Sequence, residues 1–233
     1  MFLILCKDNI GGKTIGVPWQ FLKEGLDEGV TNNFKDALKK LEGLGYKVKE
    51  VELKLVKYSL PVYYIIMPAE SSTNLARFDG VRFGKRVNGD NLLQTYMNSR
   101  AQFGPEVRRR ILLGTYVLSA GYYDAYYYKA VSVREAIKNE FNEVFKDVDV
   151  IATPTAPTPA FKIGEKTSDP LSMYLEDIFT TPANIAGIPA LSVPMGDVSV
   201  DGKQLPVGIQ VMAREGGEST LFKIGKEFLE EVQ

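Results

Sequence analysis

The chain has 233 residues, 45% hydrophobic and 24% charged, a mix that excludes intrinsic disorder, collagen, disulfide scaffolds and membrane bundles. Its 28 Lys and Arg against 29 Asp and Glu give a net charge of −1, where a dedicated nucleic-acid binder carries a basic excess. One cysteine, Cys6, and no histidine exclude an internal disulfide, a Cys-based zinc site, His-ligated metal chemistry and Ser-His-Asp catalysis within the chain.

The apolar start Phe2-Leu3-Ile4-Leu5-Cys6 is too short for a secretory signal and reads as a strand or an apolar tail. No run approaches the ~20 apolar residues of a spanning helix. The expected compartment is therefore the cytoplasm, with no membrane contact. Lys13–Pro18 reads as a strand closed by proline. A helix is predicted from an N-cap at Asp27, with Val30, Phe34, Ala37, Leu38, Leu41 and Leu44 as its apolar stripe and Gly45 as the left-handed residue after it. A strand from Tyr46 to about Leu55 completes a β-α-β unit, which implies parallel pairing.

Residues 59–79 read as helical, with Pro61 at the start. Phe103-Gly104-Pro105 breaks the chain and opens a new helix, in which Val107, Ile111, Thr115 and Leu118 share a face. Gly121 interrupts it. A longer helix then carries Tyr122, Tyr126, Ala130, Val133, Ile137, Phe141 and Val144 on one continuous face. Val148–Ala152 is predicted as a buried strand, and the proline-dense 153–159 as an extended loop. Leu171–Phe179 reads as helical, and Asn184–Gly187 as the end of a short turn. Ala190–Pro194 and Val207–Ala213 form two strands around a hairpin signal at Asp201-Gly202. A last helix runs from about Ser219, with Leu221, Ile224, Phe228 and Val232 inward.

Few residues invite chemistry. In Arg108-Arg109-Arg110 successive side chains point ~100° apart, so the three cannot form one patch. Arg110 falls toward the buried face and needs a carboxylate partner, either a side chain or a ligand. Glu176-Asp177 reads as a solvated helix end, the clustered tyrosines of 122–128 as packing, and Ser71-Ser72 as polar helix surface without an activating base. Gly11-Gly12-Lys13-Thr14 lacks the spacing and the following helix of a phosphate loop.

Longer motifs carry a family likeness. Leu60–Gly84, with its core Pro68-Ala69-Glu70-Ser71-Ser72-Thr73-Asn74-Leu75-Ala76-Arg77-Phe78-Asp79-Gly80, resembles amidase-signature proteins, and among them the A subunits of bacterial glutamyl-tRNA(Gln) amidotransferases. So do Arg109–Tyr116, Ser119–Tyr127, Thr153–Pro157, Phe179–Pro189 and Leu205–Gln210. The likeness runs from Lys13 to the C-terminus, so residues 1–12 read as a non-matching lead-in and 13–233 as the C-terminal part of an amidase-signature domain. The resemblance implies an α/β fold: a mixed β-sheet with helices on both faces, lacking its N-terminal half.

It also implies the function. Proteins of this family release ammonia from glutamine for amidation of Glu-tRNA(Gln) or Asp-tRNA(Asn). They hydrolyse the amide with a Ser–cis-Ser–Lys triad in the N-terminal half, which no stretch of these 233 residues matches. The chain alone is therefore expected to be inactive, with no catalytic residue of its own. The family's glutamine-binding residues match Tyr63, Arg110 and Asp177. In this reading Arg110 offers a planar fork to the α-carboxylate, Asp177 accepts from the α-ammonium, and Tyr63 walls the pocket. No cofactor is implied in this chain; ATP and Mg belong to a partner protein of the family complex. The implied partners are glutamine, the B and C subunits of the amidotransferase, the missing N-terminal half, and tRNA only through the complex. Two other readings stand beside this one: a catalytically dead assembly module, and a fragment of a general amidase. A sheet stripped of half its cover is expected to expose apolar surface and to self-associate or bind the missing half.

Overall fold

The computed structural model describes residues 14–22, 25–166 and 170–232. Cys6, the apolar 2–6, Gly11-Gly12-Lys13 and the side chain of Val232 lie outside what is described. The chain divides into two compact units, Pro61–Arg134 and the remainder, which leaves off before Pro61 and resumes at Glu135.

The first unit is built on a five-stranded mixed sheet in the order β2-β1-β3-β5-β4. The strands are β1 (Thr14–Val17), β2 (Lys47–Glu50), β3 (Val150–Pro154), β4 (Ala190–Val200) and β5 (Lys203–Ala213). β1 pairs in parallel with β2 and β3; β5 pairs antiparallel with β3 and β4. Helix α1 (Glu28–Gly43) connects β1 to β2 as the sequence predicts. Asp27 caps it, its Oδ1 accepting from Val30 N at 3.0 Å, and Gly45 closes it at φ 88°. Val30, Phe34, Ala37, Leu38 and Leu41 are buried, so the stripe is real. Strand β2 stops at Glu50 instead of Leu55; the slip in alternation at Lys49-Glu50 marks the end, and a 3-10 turn follows at Val56–Tyr58.

One sheet face carries Ile15, Val17, Val150, Ala152, Ile209 and Val211, packed with α1 and the C-terminal helix α8 (Glu218–Val232). Leu221, Ile224 and Phe228 of α8 are buried there. On the other face Ile151 and Met212 are equally buried, so β3 is covered on both sides. Strand β3 starts two residues later than predicted and continues through Thr153-Pro154 into the proline-dense segment. Helix α6 (Pro170–Leu175) is shorter than the predicted Leu171–Phe179, and α7 (Thr181–Ala186) ends at Gly187 with φ 68°. The β4–β5 hairpin turns at Asp201-Gly202, both left-handed, at φ 51° and 75°.

Its strands are much longer than the sequence suggests because of a bulge. Pro194 pairs with Gly208 but Gly196 pairs with Val207, leaving Met195 as the extra residue. Val193 and Met195 point inward before it, Val198 after it, so the alternation changes phase and the pattern reads as broken.

The second unit is helical: most of α2 (Ser59–Asn74), then α3 (Leu92–Arg100), α4 (Pro105–Val117), a π-helical turn at Tyr123–Tyr128, and the start of α5 (Lys129–Val144). Helix α2 ends at Asn74 rather than near Asp79. Helix α4 begins with Pro105 after Gly104, as its break signal predicts. Two expectations fail. Thr115 is exposed and only Gly114 of α4 is fully buried, so Val107, Ile111 and Leu118 form a half-buried face. Tyr122, Tyr123, Tyr126 and Tyr128 are exposed, so this cluster is surface and not packing. Helix α3 has an N-cap in Asn91 but no apolar stripe to announce it, because the residues it buries are Thr95 and Ser99.

Candidate functional site

Tyr63 and Arg110 belong to the second unit and Asp177 to the first. In the second unit, α2 and α4 approach with almost no side chain between them. A Cβ on Gly114 would lie 1.9 Å from the Pro68 carbonyl oxygen, so only glycine admits the crossing. One helical turn back along α4 from Gly114 is Arg110, whose Nη1 lies 3.4 Å from Met67 Sδ on α2. Tyr63 sits one turn before Met67, half-buried, with its ring 5.1 Å from that of Tyr64 in a T-shaped contact. The helix-phase reading of the arginine triple is correct: Arg108 and Arg109 are exposed, while Arg110 keeps a third of its side chain exposed.

The carboxylate that Arg110 requires is supplied by its own helix. Arg110 Nε donates to Glu106 Oε1 at 2.9 Å, while Arg109 Nη1 reaches the other oxygen at 2.6 Å. The spacings of four and three residues are the signal by which the sequence carries this pair of contacts. Burial alone would lower the Arg110 pKa; the ion pair with Glu106, with Tyr63 and Tyr64 nearby, outweighs it and the net direction is upward. The guanidinium keeps Nη2 without a hydrogen bond among the described residues, so one prong of the fork remains for a ligand.

In the first unit, Asp177 lies in the turn between α6 and α7. Its carbonyl accepts from Thr181 N at 2.9 Å and Thr180 N at 3.2 Å, which fixes the turn. The side chain is exposed on a cavity of about 420 Å³, lined also by Thr155, Thr158, Phe161, Glu176 and Ser192. Thr155 and Ser192 share a hydroxyl–hydroxyl bond of 2.7 Å, and Gly208 leaves room for it. Glu176 is not the solvated helix end the sequence suggests. Its carboxylate pairs with Lys166, accepts from Thr158 Oγ1 at 3.0 Å, and is only 16% exposed. Lys166 also lies 4.8 Å from the Phe161 ring centroid. Sequence reasoning misses this tie because the partner lies across a segment with no periodicity. Ser71 and Ser72 bond to Met67 Sδ and the Ala69 carbonyl, the ordinary behaviour of helix hydroxyls. Among the described residues no cluster of His, Cys, Asp and Glu could hold a metal ion, and no helix is long and apolar enough to cross a membrane.

Comparison with known proteins gives the family. The amidase family model matches residues 6–222. The A subunit of glutamyl-tRNA(Gln) amidotransferase from Carboxydothermus hydrogenoformans is 52% identical over 229 residues, covering 97% of this chain and 46% of that protein. Its counterpart in Geobacillus kaustophilus is 54% identical over 222 residues, 94% of this chain and 45% of that protein. The crystal structure of the Thermotoga maritima counterpart superimposes with a TM-score of 0.68 at 44% identity, covering 94% of this chain and 42% of that one. A 6-aminohexanoate cyclic dimer hydrolase reaches a TM-score of 0.75 at 19% identity, over 98% of this chain and 47% of that one, and shares the fold alone. The chain spans about half the length of the curated relatives it matches. From strand order to the spacing of its motifs, and with the family model running through almost all of its length, this chain belongs to the amidase family.

Proposed function

We propose that this chain is the glutamine-binding, C-terminal portion of the A subunit of a tRNA-dependent amidotransferase, the component that frees ammonia from glutamine for the amidation of Glu-tRNA(Gln) or Asp-tRNA(Asn). The observation that carries this reading is the 52% identity, over 97% of the chain, to a protein of that name. In this role Arg110 holds the α-carboxylate, Asp177 accepts from the α-ammonium and Tyr63 closes the wall. The unbonded Nη2 of Arg110 supports the first assignment, and the exposed carboxylate of Asp177 on its cavity supports the second. The nucleophile comes from the other half of the protein. ATP and Mg are used by a partner subunit, and the B and C subunits join this chain in a cytoplasmic complex.

The test is binding of glutamine to this chain joined with the remaining half of a relative's A subunit, read by calorimetry. Arg110→Lys is expected to weaken glutamine by tenfold or more, since a point charge cannot replace a two-pronged contact. Asp177→Asn is expected to weaken glutamine while leaving its analogue without the α-amino group unaffected. Unchanged glutamine affinity in both variants would retire the assignment.

A further inference from the structure

We propose that the loop from Arg77 to Arg86 in the second unit is an RNA-binding surface, taking phosphodiester groups on Arg82, Lys85 and Arg86 and stacking an unpaired base on Phe78 and Phe83. The chain-wide balance of −1 conceals a division of charge. Residues 61–134 hold ten Lys and Arg against five Asp and Glu, a net of +5, and the rest of the chain holds 18 against 24, a net of −6. Such an asymmetry within one chain points to an anionic partner for the basic part.

The positive charge is concentrated where nothing neutralises it. Arg77, Arg82, Lys85 and Arg86 are all exposed. Arg77 Nη2 donates to Asn74 Oδ1, and Arg86 donates to Asn88 Oδ1 and the Val81 carbonyl, all neutral oxygens. Arg82 and Lys85 make no side-chain hydrogen bond or ion pair among the described residues. The one carboxylate in the loop, Asp79, is buried and committed to Val81 N and to Arg100. Four cations left without a counter-charge within ten residues repel one another, and a polyanion relieves that repulsion while releasing its own counterions.

Beside them stand two large, partly exposed aromatic rings, Phe78 with the Arg77 guanidinium carbon 5.8 Å over its centroid, and Phe83. Phe78 is 49% and Phe83 64% exposed, with centroids 5.7 Å apart. Exposed aromatic rings among arginines are the means by which proteins hold unpaired bases. An acidic protein segment would satisfy the cations but leave these faces idle, and a bilayer surface calls for a broad apolar helix face that this loop does not offer.

The loop is also built to keep its shape. Helix α3 spends its polar side chains on the loop backbone: Ser99 Oγ accepts from Val87 N, Thr95 Oγ1 from Gly89 N, and Gln94 Oε1 from Asp90 N, at 3.0, 3.0 and 2.8 Å. Gly80, at φ 93°, lets the Lys85 carbonyl approach to where a Cβ would lie 2.7 Å away. A surface held in advance loses little conformational freedom on binding.

The test is fluorescence anisotropy of the chain itself with a labelled single-stranded RNA of about twelve nucleotides, across a series of KCl concentrations. We expect micromolar binding at low salt, with log K falling against log salt at a slope of about −2, close to 0.7 per neutralised phosphate for three cations. R82A/K85A/R86A should flatten that slope and weaken binding at least tenfold. F78A/F83A should weaken binding about tenfold with the slope unchanged, which separates stacking from charge. Should the alanine triple fail to fold by circular dichroism, R82Q/K85Q/R86Q serves the same comparison. Three results would overturn the proposal: no binding at low salt, a charge-removed variant that binds RNA as the parent does, or displacement of RNA by polyglutamate or phosphatidylserine vesicles with F78A/F83A unaffected. The last would reassign the surface to an acidic protein or a membrane. None of these residues belongs to the proposed glutamine site, so failure here leaves that reading standing.

Discussion

Arg110 is placed by two neighbours that contribute unequal amounts. Glu106 meets it along an exposed helix edge, where a pair at this spacing is worth roughly 0.3–0.5 kcal/mol. Glu106→Gln should therefore change the denaturant midpoint very little, while leaving Arg110 more accessible to a carboxylate ligand. Gly114 matters far more. Alanine there would thrust its methyl into the Pro68 carbonyl, a backbone group that cannot swing aside, and overpacking of this kind costs about 1–3 kcal/mol or more. Gly114→Ala is expected to lower the urea midpoint clearly; an unchanged midpoint would mean that α2 and α4 do not cross as described. A third residue links stability to pH. Tyr46 is buried and donates to Glu227 Oε2 at 2.5 Å, and burial first, then the bond and charge of Glu227, push its pKa well above the ordinary phenol value of 10. The unfolded chain therefore gives up this proton near pH 10 while the folded chain keeps it. Stability present below pH 10 is lost as the pH climbs above it, and Tyr46→Phe should make the fall in melting temperature above pH 10 shallower.

At the scale of elements, local rules and long-range demands divide cleanly. Helix α1 carries every signal in its own sequence: the Asp27 cap, the apolar stripe and the glycine stop. Asp27→Ala should cost about 1 kcal/mol in a urea titration, the worth of an N-cap. The β4–β5 hairpin is legible at its turn and illegible along its length. The bulge at Met195 depends on Gly196 at φ 128°, over which Asn33 of α1 closes: a Cβ there would lie 2.4 Å from Asn33 Oδ1. Asn33 Nδ2 in turn donates to the Gly29 and Asp197 carbonyls, so the bulge is held by a helix far away in the chain. No window of the strand's own residues contains that partner. Helix α3 is the converse case. It buries polar side chains because its task is to bond a loop, so a search for apolar periodicity passes over it.

At the scale of the whole molecule, the chain by itself is expected to release no ammonia from glutamine, with or without ATP. No Ser–Ser–Lys arrangement of the kind its family likeness implies is matched in these 233 residues, and histidine is absent. Turnover that disappears in Arg110→Ala would reveal a nucleophile of another kind. Large apolar side chains stand exposed on the second unit, among them Leu92, Leu93 and Met97 on α3 and Leu112 on α4, each more than 60% accessible. Patches of this sort are uncommon on monomers. Sedimentation at rising concentration should show self-association that Leu92→Ser with Met97→Ser reduces. The sequence alone determined the β-α-β start, the hairpin turn, the helix breaks at Gly104-Pro105 and Gly121, and the inward phase of Arg110, because each follows from residues within a turn or two of one another. Its long motifs also carried the family. Only the tertiary structure decided that Glu176 is tied to Lys166, that the tyrosines face outward, that a bulge rephases β4, and that opposite charges sort into two units. Those outcomes depend on which distant residue arrives at a given side chain, and packing, not local preference, selects it.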